Sequence, residues 1–168
     1  MATVGDIRAR LLAAPGPWVA VLCGPSHAGK STFAAGLAGR AQVINPDALR
    51  EQETGTRVPG AREAYIWQLV TALQRVSFGA GKNVVIDACH VSELARRKAL
   101  AGAGREYTKW CVVFDVPLET VRERCVAASR VPLPYVEQLW ADFAAKKPTP
   151  EQLGEEGFTE WAFVDGGW

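Results

Sequence analysis

The chain has 168 residues, of which 48% are hydrophobic and 22% charged, and its formal net charge is +1. This length suits one domain with a sizeable core, and the composition is ordinary for a soluble globular protein. No apolar run approaches the ~20 residues of a membrane span, and the N-terminal segment lacks the long apolar stretch of a secretory signal. We therefore expect one cytoplasmic domain over residues 1–168.

The distribution of charge along the chain bears on the kind of partner that it could bind. Residues 148–168 form an acidic segment with five acidic residues and no Lys or Arg, which leaves residues 1–147 with a balance of +6. That surplus permits a polyanionic partner, although these charges alone favour a solvated surface.

The four cysteines are widely spaced and form no Cys-x-x-Cys pair, so reduced thiols in the core are favoured over disulfides or metal ligands. They are Cys23, Cys89, Cys111 and Cys125.

In chain order, apolar periodicity and turn residues predict alternating helices and strands. This alternation predicts a parallel sheet of about five strands with helices on both faces. Residues 117–145 are expected to form a helical lid, because a non-helical stretch around Arg130 interrupts two helices. The predicted strands lie at 18–23, 41–44, 83–86, 110–114 and 161–164. The predicted helices lie at 6–12, after residue 31, from 46, at 61–78, 92–101 and 117–128, and from 134, with a polar loop at 51–60.

The first strand leads into a phosphate-binding loop pattern, which fits at every fixed position. Its glycines allow positive φ, and successive backbone N–H groups form an anion nest at a helix N-terminus. Lys30 is placed for the β and γ phosphates and the Ser31 hydroxyl for Mg²⁺. A glycine-rich turn can match by chance, but the preceding strand and following helix are the confirming context. We therefore expect a nucleoside triphosphate at Gly24, Pro25, Ser26, His27, Ala28, Gly29, Lys30, Ser31 and Thr32.

Two aspartates follow the second and third predicted strands, at the sheet edge where such folds bind ligands. Asp47 is the candidate carboxylate that orients or deprotonates an acceptor hydroxyl, and Arg50 lies on the same helix face. Alternatively, Asp47 stabilises a helix N-terminus by roughly 0.3–1 kcal/mol. Asp87 resembles the acid that holds Mg²⁺, usually through water, or helps to fix the acceptor; a strand-end Asx turn is its alternative.

The lid contributes arginines, and other residues are weaker candidates. Arg130 best fits a residue that swings onto the transferring phosphate, whereas Arg122 and Arg124 are interpreted as solvated helix residues. His27 and His90 are interpreted as hydrogen-bonded structural residues, since kinase chemistry needs neither. Most tryptophans belong to the predicted core; an exposed Trp67 or Trp168 could stack on a base.

Together these motifs resemble the kinase domain of polynucleotide 5′-hydroxyl kinases of the bacteriophage and bacterial RNA-repair type. The matching segments are GPSHAGKST, INPDALR, VVIDACH and SRVPLPYVEQLW, spread over residues 19–143. The resemblance implies an adenylate-kinase-like P-loop fold, a three-layer sandwich with a helical lid. It also implies ATP or GTP with Mg²⁺ as cofactors, and a 5′-hydroxyl nucleic acid end as the substrate.

The resemblance further implies a role for each matching residue. Lys30 and Ser31 would bind the donor phosphates and Mg²⁺, and Asp47 would be the general base. Arg50 would contact a phosphate of the acceptor strand and Asp87 would position the acceptor. Arg130 would clamp the β and γ phosphates. One departure is that the family often carries a second arginine four residues before the lid arginine, where this chain has Val126.

Other acceptors stay open at this point. The same superfamily contains small-molecule kinases, sugar-nucleotide kinases of the zeta-toxin type, and phage kinases that modify hydroxymethylated bases in DNA. An NTP-dependent switch or hydrolase is a further alternative, disfavoured because no Asn-Lys-x-Asp motif is present and Ala88 follows Asp87. The choices between DNA and RNA and between ATP and GTP, and the oligomeric state, are not decided by the sequence.

Overall fold

Helices and strands alternate along the chain, as the sequence pattern predicts, in a computed structural model that describes residues 2–167. Trp168, one of the two tryptophans considered for base stacking, lies outside the described residues. In chain order the elements are α1 (Val4–Ala13), β1 (Trp18–Cys23), α2 (Lys30–Ala35), β2 (Gln42–Ile44), α3 (Pro46–Thr54), α4 (Glu63–Gly79), β3 (Val84–Asp87), α5 (Glu93–Leu100), β4 (Thr108–Phe114), α6 (Leu118–Ala128), α7 (Leu133–Lys146), α8 (Pro150–Glu156) and β5 (Glu160–Val164).

The five strands form one all-parallel sheet in the order β2-β3-β1-β4-β5. The register pairs Leu22 with Asp87 between β1 and β3, and Ile44 with Ile86 between β2 and β3. Because all strands are parallel, the segments that follow β1, β2 and β3 meet at one edge of the sheet. The predicted sheet is therefore confirmed, and it brings the phosphate loop, Asp47 and Asp87 to a common edge.

Two hydrophobic clusters sandwich the sheet and account for the apolar run of β1. All six β1 residues are buried, as expected for a central strand covered on both faces. Trp18, Ala20 and Leu22 pack into the cluster that includes α1, α2 and α6. The alternate residues Val19 and Val21 pack into the cluster with α4, α5 and α8. The result is a three-layer sandwich.

Some boundaries differ from the sequence-based expectations, for local reasons. The helix α3 takes in residues 51–54 of the expected polar loop and is capped by Gly55, which has left-handed backbone (φ +76°) and donates its N–H to the Glu51 carbonyl. The helix α8 was not expected in the acidic segment. Its capping box between Thr149 and Gln152 begins the helix.

Some apolar residues of α4 that the helical spacing predicts to be buried are exposed. The side chains of Leu73 and Val76 are exposed, whereas Gln74 is buried and donates to the Ala99 carbonyl over 2.9 Å. The buried face of α4 is therefore rotated from the face that the apolar spacing favours. Among residues 2–167, no helix combines the length and apolar content needed to cross a membrane.

Candidate active site

A cleft of about 630 Å³ opens at the carboxyl edge of the sheet. Its walls come from the phosphate loop, the segment after β3, the facing helices α3 and α4, and the α6–α7 pair. The residues singled out in the sequence largely converge here, although they belong to separate elements. The cleft is lined by Ser26, His27, Gly29, Lys30, Ser31, Thr32, Asp47, Arg50, Asp87 and Arg130, among others.

Backbone conformation shapes the phosphate loop. Gly24 has φ +149°, and a Cβ there would lie 2.8 Å from the Phe114 carbonyl oxygen, so a side chain is excluded on both counts. Its N–H donates to the Cys89 carbonyl over 2.9 Å, which ties the loop to the segment after β3. Gly29, with φ +100°, then turns the chain into α2. Positive φ at these two glycines is compatible with the anion nest that the sequence pattern predicts.

Lys30, Ser31 and Asp87 form the polar floor of the cleft. The buried Lys30 ammonium donates to the carbonyls of Gly24 and Pro25 over 3.0 and 2.5 Å. Burial raises the pKa of Asp87, and this shift is opposed by the nearby charge of Lys30 and by hydrogen bonds from Ser31 and Asn45. A hydroxyl beside a carboxylate offers the oxygen ligands that Mg²⁺ shares with substrate phosphates. This pair therefore fits the expected metal.

A network of ion pairs on α3 and α4 holds Asp47 in the part of the cleft lining that these two helices form. The Asp47 carboxylate, whose side chain is 49% exposed, accepts from Arg50 Nη1 over 2.5 Å. The buried Arg50 also donates two hydrogen bonds to Glu63, over 2.8 and 2.6 Å, and one to the Arg57 carbonyl. Hydrogen bonding to Glu63 is the main cause that raises the pKa of Arg50, and Arg50 in turn lowers the pKa of Glu63.

This arrangement changes what Arg50 is able to do. Four of its five N–H groups are already engaged within the protein, so its geometry is mainly that of a residue that positions Asp47. A contact to an acceptor phosphate stays a prediction and would use the remaining N–H. Sequence reasoning missed Glu63, because its contact with Arg50 joins two helices across 13 residues without any helical spacing.

The arginines of α6 and of the α6–α7 connection, where the sequence predicts a lid, have three different environments. Arg130 is exposed on the cleft, and within residues 2–167 it has no hydrogen bond or ion pair. Arg122 pairs with Glu119 and Glu137 on α6 and α7, each over 2.6 Å. Arg124 donates to the carbonyls of His27 and Gly166 over 3.3 and 3.2 Å, which puts it against the phosphate loop and not in solvent as expected.

The two histidines lie under or within the phosphate loop. His27 has left-handed backbone (φ +62°), and its Nδ1 lies 3.0 Å from the Ser26 hydroxyl. Its pKa is lowered mainly by burial, with repulsion from Lys30 and Arg130 adding to the effect. The buried His90 Nδ1 lies 2.7 Å from the Leu22 carbonyl oxygen, and burial lowers its pKa to about 4. A neutral, hydrogen-bonded His90 agrees with the structural interpretation.

A buried ion pair between α5 and α8 contacts the backbone of the segment after β3. Arg96 on α5 donates two hydrogen bonds to Glu156 on α8, over 2.7 and 2.6 Å, and both side chains are almost fully buried. The same guanidinium donates to the carbonyls of His90 and Val91. Sequence reasoning did not single out this pair, which joins residues 60 positions apart.

The chain is similar to a known protein family and to several solved structures. The AAA_33 family, described as an AAA domain, matches residues 19–144. A comparison with curated protein sequences finds no match. A structure of the Pnkp1/Rnl/Hen1 RNA repair complex matches with 22% identity and a TM-score of 0.68, over 80% of this chain and 46% of that chain. A second structure of the Pnkp1/Rnl/Hen1 complex matches with 25% identity and a TM-score of 0.58, over 67% and 41% of the two chains.

A small-molecule kinase is also similar in structure. The gluconokinase from Sinorhizobium meliloti matches with 18% identity and a TM-score of 0.57, over 90% of this chain and 84% of that chain. This chain therefore spans less than half of the first two relatives but most of the gluconokinase. The architecture shared by these proteins is the P-loop kinase fold.

Proposed function

Because the chain belongs to the AAA_33 family and has the P-loop kinase fold, we propose that it transfers the γ-phosphate of ATP, or of another nucleoside triphosphate, to the 5′-hydroxyl end of a nucleic acid strand. The observation that carries this proposal is the Asp47–Arg50–Glu63 network on the cleft wall that faces the phosphate loop. The similarity to a protein of an RNA repair complex supports the choice of acceptor.

In this proposal the two walls of the cleft divide the work. The loop N–H groups and Lys30 bind the donor phosphates, and the Ser31 hydroxyl and Asp87 would hold Mg²⁺, which neutralises charge on the phosphates when bound. An oxygen of the Asp47 carboxylate takes the proton of the 5′-hydroxyl while the oxygen of that hydroxyl forms its bond to the γ-phosphorus. The bond from the γ-phosphorus to the β-phosphate oxygen breaks, and the nucleoside diphosphate leaves.

The surrounding side chains prepare Asp47 for this step. Arg50 is buried and bonded to Glu63 by two parallel hydrogen bonds, so its guanidinium is fixed before substrate binds. The contact from Arg50 Nη1 then orients the Asp47 carboxylate, which stays half-exposed toward the cleft. Arg130, which is exposed on the lid and unpaired within residues 2–167, is the cation available for the transferring phosphate.

A small-molecule alcohol is the second candidate acceptor. The match to the gluconokinase covers nearly the whole of both chains, and a cleft of about 630 Å³ is a size that small substrates use. Arg50 keeps one N–H, which either the carboxylate of a sugar acid or an acceptor phosphate would use.

Transfer of label separates these two functions. The protein is incubated with γ-labelled ATP, Mg²⁺ and either a 5′-hydroxyl oligonucleotide of DNA or RNA, or a panel of sugars that includes gluconate. We expect label on the 5′ end of an oligonucleotide, and none when the same strand already carries a 5′-phosphate. Label on a sugar with none on either strand would overturn the proposal.

A further inference from the structure

The wall of the cleft that carries Asp47, Arg50 and Glu63 is called the acceptor wall here, and Trp67 on α4 is one of two aromatic side chains beside it; the other is Tyr135 on α7. Trp67 is 40% exposed although it is large and apolar, and it lines the cleft alongside Asp47 and Glu63. It also lines a second, shallower groove of about 360 Å³ on the outer face of α4. The indole thus stands between the place of phosphate transfer and an open surface. The second groove is lined by Ala64, Trp67, Gln68, Thr71, Ala72 and Arg75.

We propose that Trp67 is a stacking platform for the nucleobase of the acceptor's 5′-terminal nucleotide. This inference rests on the proposed function, since it requires a nucleic acid end as the acceptor. Every base offers a π-face, so an aromatic platform binds a strand end without demanding one sequence.

The polar edge of the indole is already bonded, which leaves the ring face for a ligand. Trp67 Nε1 donates to Glu63 Oε1 over 2.8 Å. The same oxygen accepts from Arg50, and Arg50 donates to Asp47. The ring is therefore oriented by the network that orients the catalytic carboxylate. A nucleotide whose 5′-oxygen lies at Asp47 would bring its base toward this ring.

The same network assigns Trp67 to the acceptor and not to the donor base. The donor phosphates are expected at the phosphate loop, where the His27 carbonyl accepts from Arg124, and Arg124 also donates to the Gly166 carbonyl. Trp67 lies on α4 and shares its hydrogen-bond partner with Arg50.

The groove on α4 offers a strand a way out of the cleft. Trp67 and Arg75 both line this groove, and Arg75 lies about 12 Å along the helix axis from Trp67. Arg75 is exposed, and among residues 2–167 its guanidinium has no hydrogen bond or ion pair. An unpaired cation at the far end of the groove complements the phosphates of a polymer, and a single sugar would not reach it.

The test combines variants of Trp67 with acceptors that have or lack the terminal base. The acceptors are two 5′-hydroxyl oligonucleotides that differ only in whether the first nucleotide carries its base or is abasic. The proteins are the wild type, Trp67→Phe, Trp67→Ala and Trp161→Ala. Trp161 is the matched control, since it is 37% exposed on β5 and does not line the cleft. The measured quantities are kcat and KM for oligonucleotide and for ATP.

We expect Trp67→Ala to raise the KM for the intact oligonucleotide by about 5- to 150-fold, with the KM for ATP unchanged. Trp67→Phe should keep most of the affinity, because it keeps an aromatic face while losing the N–H that contacts Glu63. On the abasic acceptor, the wild type should lose the same factor and become equal to Trp67→Ala. Trp161→Ala should match the wild type throughout.

Three results would overturn the platform. They are an unchanged oligonucleotide KM in Trp67→Ala, a rise in the KM for ATP instead, or a Phe variant as impaired as the Ala variant. The last result would mean that the indole acts only through Glu63. These outcomes differ from failure of the proposed function, in which the wild type labels neither oligonucleotide.

Discussion

The two walls of the cleft, to which we assign the phosphate donor and the acceptor, are built in different ways. The donor wall is a contiguous loop shaped by backbone, with Gly24 at φ +149° and Gly29 at φ +100°. Its lysine is held by carbonyls of the same loop. The acceptor wall depends on side chains from two helices, in which ion pairs fix Arg50 between Asp47 and Glu63.

This difference shows where specificity resides in such a protein. A backbone nest binds any phosphate chain of suitable length, so the donor wall is compatible with many acceptors. The acceptor wall can change its substrate by exchanging a few side chains while the sheet stays intact. Substitutions on the acceptor wall should therefore alter turnover without disturbing nucleotide binding, whereas substitutions on the donor wall should affect both binding and folding.

Asp47→Asn should have the largest effect on transfer. Loss of a general base typically lowers the rate by about 10²- to 10⁴-fold, and Asn keeps the shape of the side chain that accepts from Arg50. Label transfer to an oligonucleotide measures the rate, and equilibrium binding measures ATP affinity, which should be nearly unchanged. Near-full activity in this variant would show that Asp47 is not the base.

Arg130→Ala should lower kcat by about 10²- to 10³-fold, because it removes the cation expected at the transferring phosphate. Arg122→Ala is the matched control, since Arg122 pairs with Glu119 and Glu137 and such exposed pairs contribute little. Single-turnover transfer rates measure both variants. A change within twofold for Arg130→Ala would direct attention to Arg124, which contacts the phosphate loop.

The sequence predicts most of the fold and the donor wall because their signals are local. The apolar run of residues 18–23 and the glycine spacing after it depend on neighbours in the chain, and the structure agrees with both. Asn45 and Pro46 likewise begin α3 as expected, with the Asn45 side chain accepting from the Ala48 N–H. Local signals of this kind need no knowledge of tertiary contacts.

The acceptor wall was predicted only in part, because its remaining contacts join distant elements. Spacing placed Asp47 and Arg50 on one face, but the partner Glu63 follows from how α4 packs against α3. The same holds for Arg124, whose contact with the His27 carbonyl spans 97 residues. The exposed Leu73 and Val76 show the converse, in which tertiary packing overrides an apolar pattern.

Gly24→Ala tests whether the donor wall depends on backbone geometry. A Cβ at this position would lie 2.8 Å from the Phe114 carbonyl oxygen, with a φ that L-residues rarely adopt, so we expect destabilisation by about 1–3 kcal/mol together with weaker ATP binding. Gly39→Ala is the control, because nothing lies within 4 Å of a Cβ there. Chemical denaturation and ATP titration measure the two effects. Equal stability of the two variants would contradict a backbone-determined loop.

His90 should make the stability of the donor wall depend on pH. Burial lowers its pKa in the folded state to about 4 from an ordinary value of 6.5. As pH falls from about 6.5 to about 4, the unfolded chain therefore gains a proton that the folded chain excludes, and the free energy of unfolding should fall by at most about 1.4 kcal/mol per pH unit. Above pH 6.5 this contribution should be constant.

His90→Asn is the matched variant for this measurement, because Asn tolerates the left-handed backbone (φ +42°) and does not titrate. The difference in unfolding free energy between the wild type and this variant should carry the slope between pH 6.5 and 4, while carboxylates common to both cancel. On the acceptor wall, the ion pair between Arg50 and Glu63 should persist to lower pH, since Arg50 lowers the pKa of Glu63. If the unfolding free energies of the two proteins fall in parallel with pH, His90 takes up its proton equally well in the folded and unfolded states. The segment after β3, whose Cys89 carbonyl accepts from the Gly24 N–H, would then not lose stability through His90 in acid.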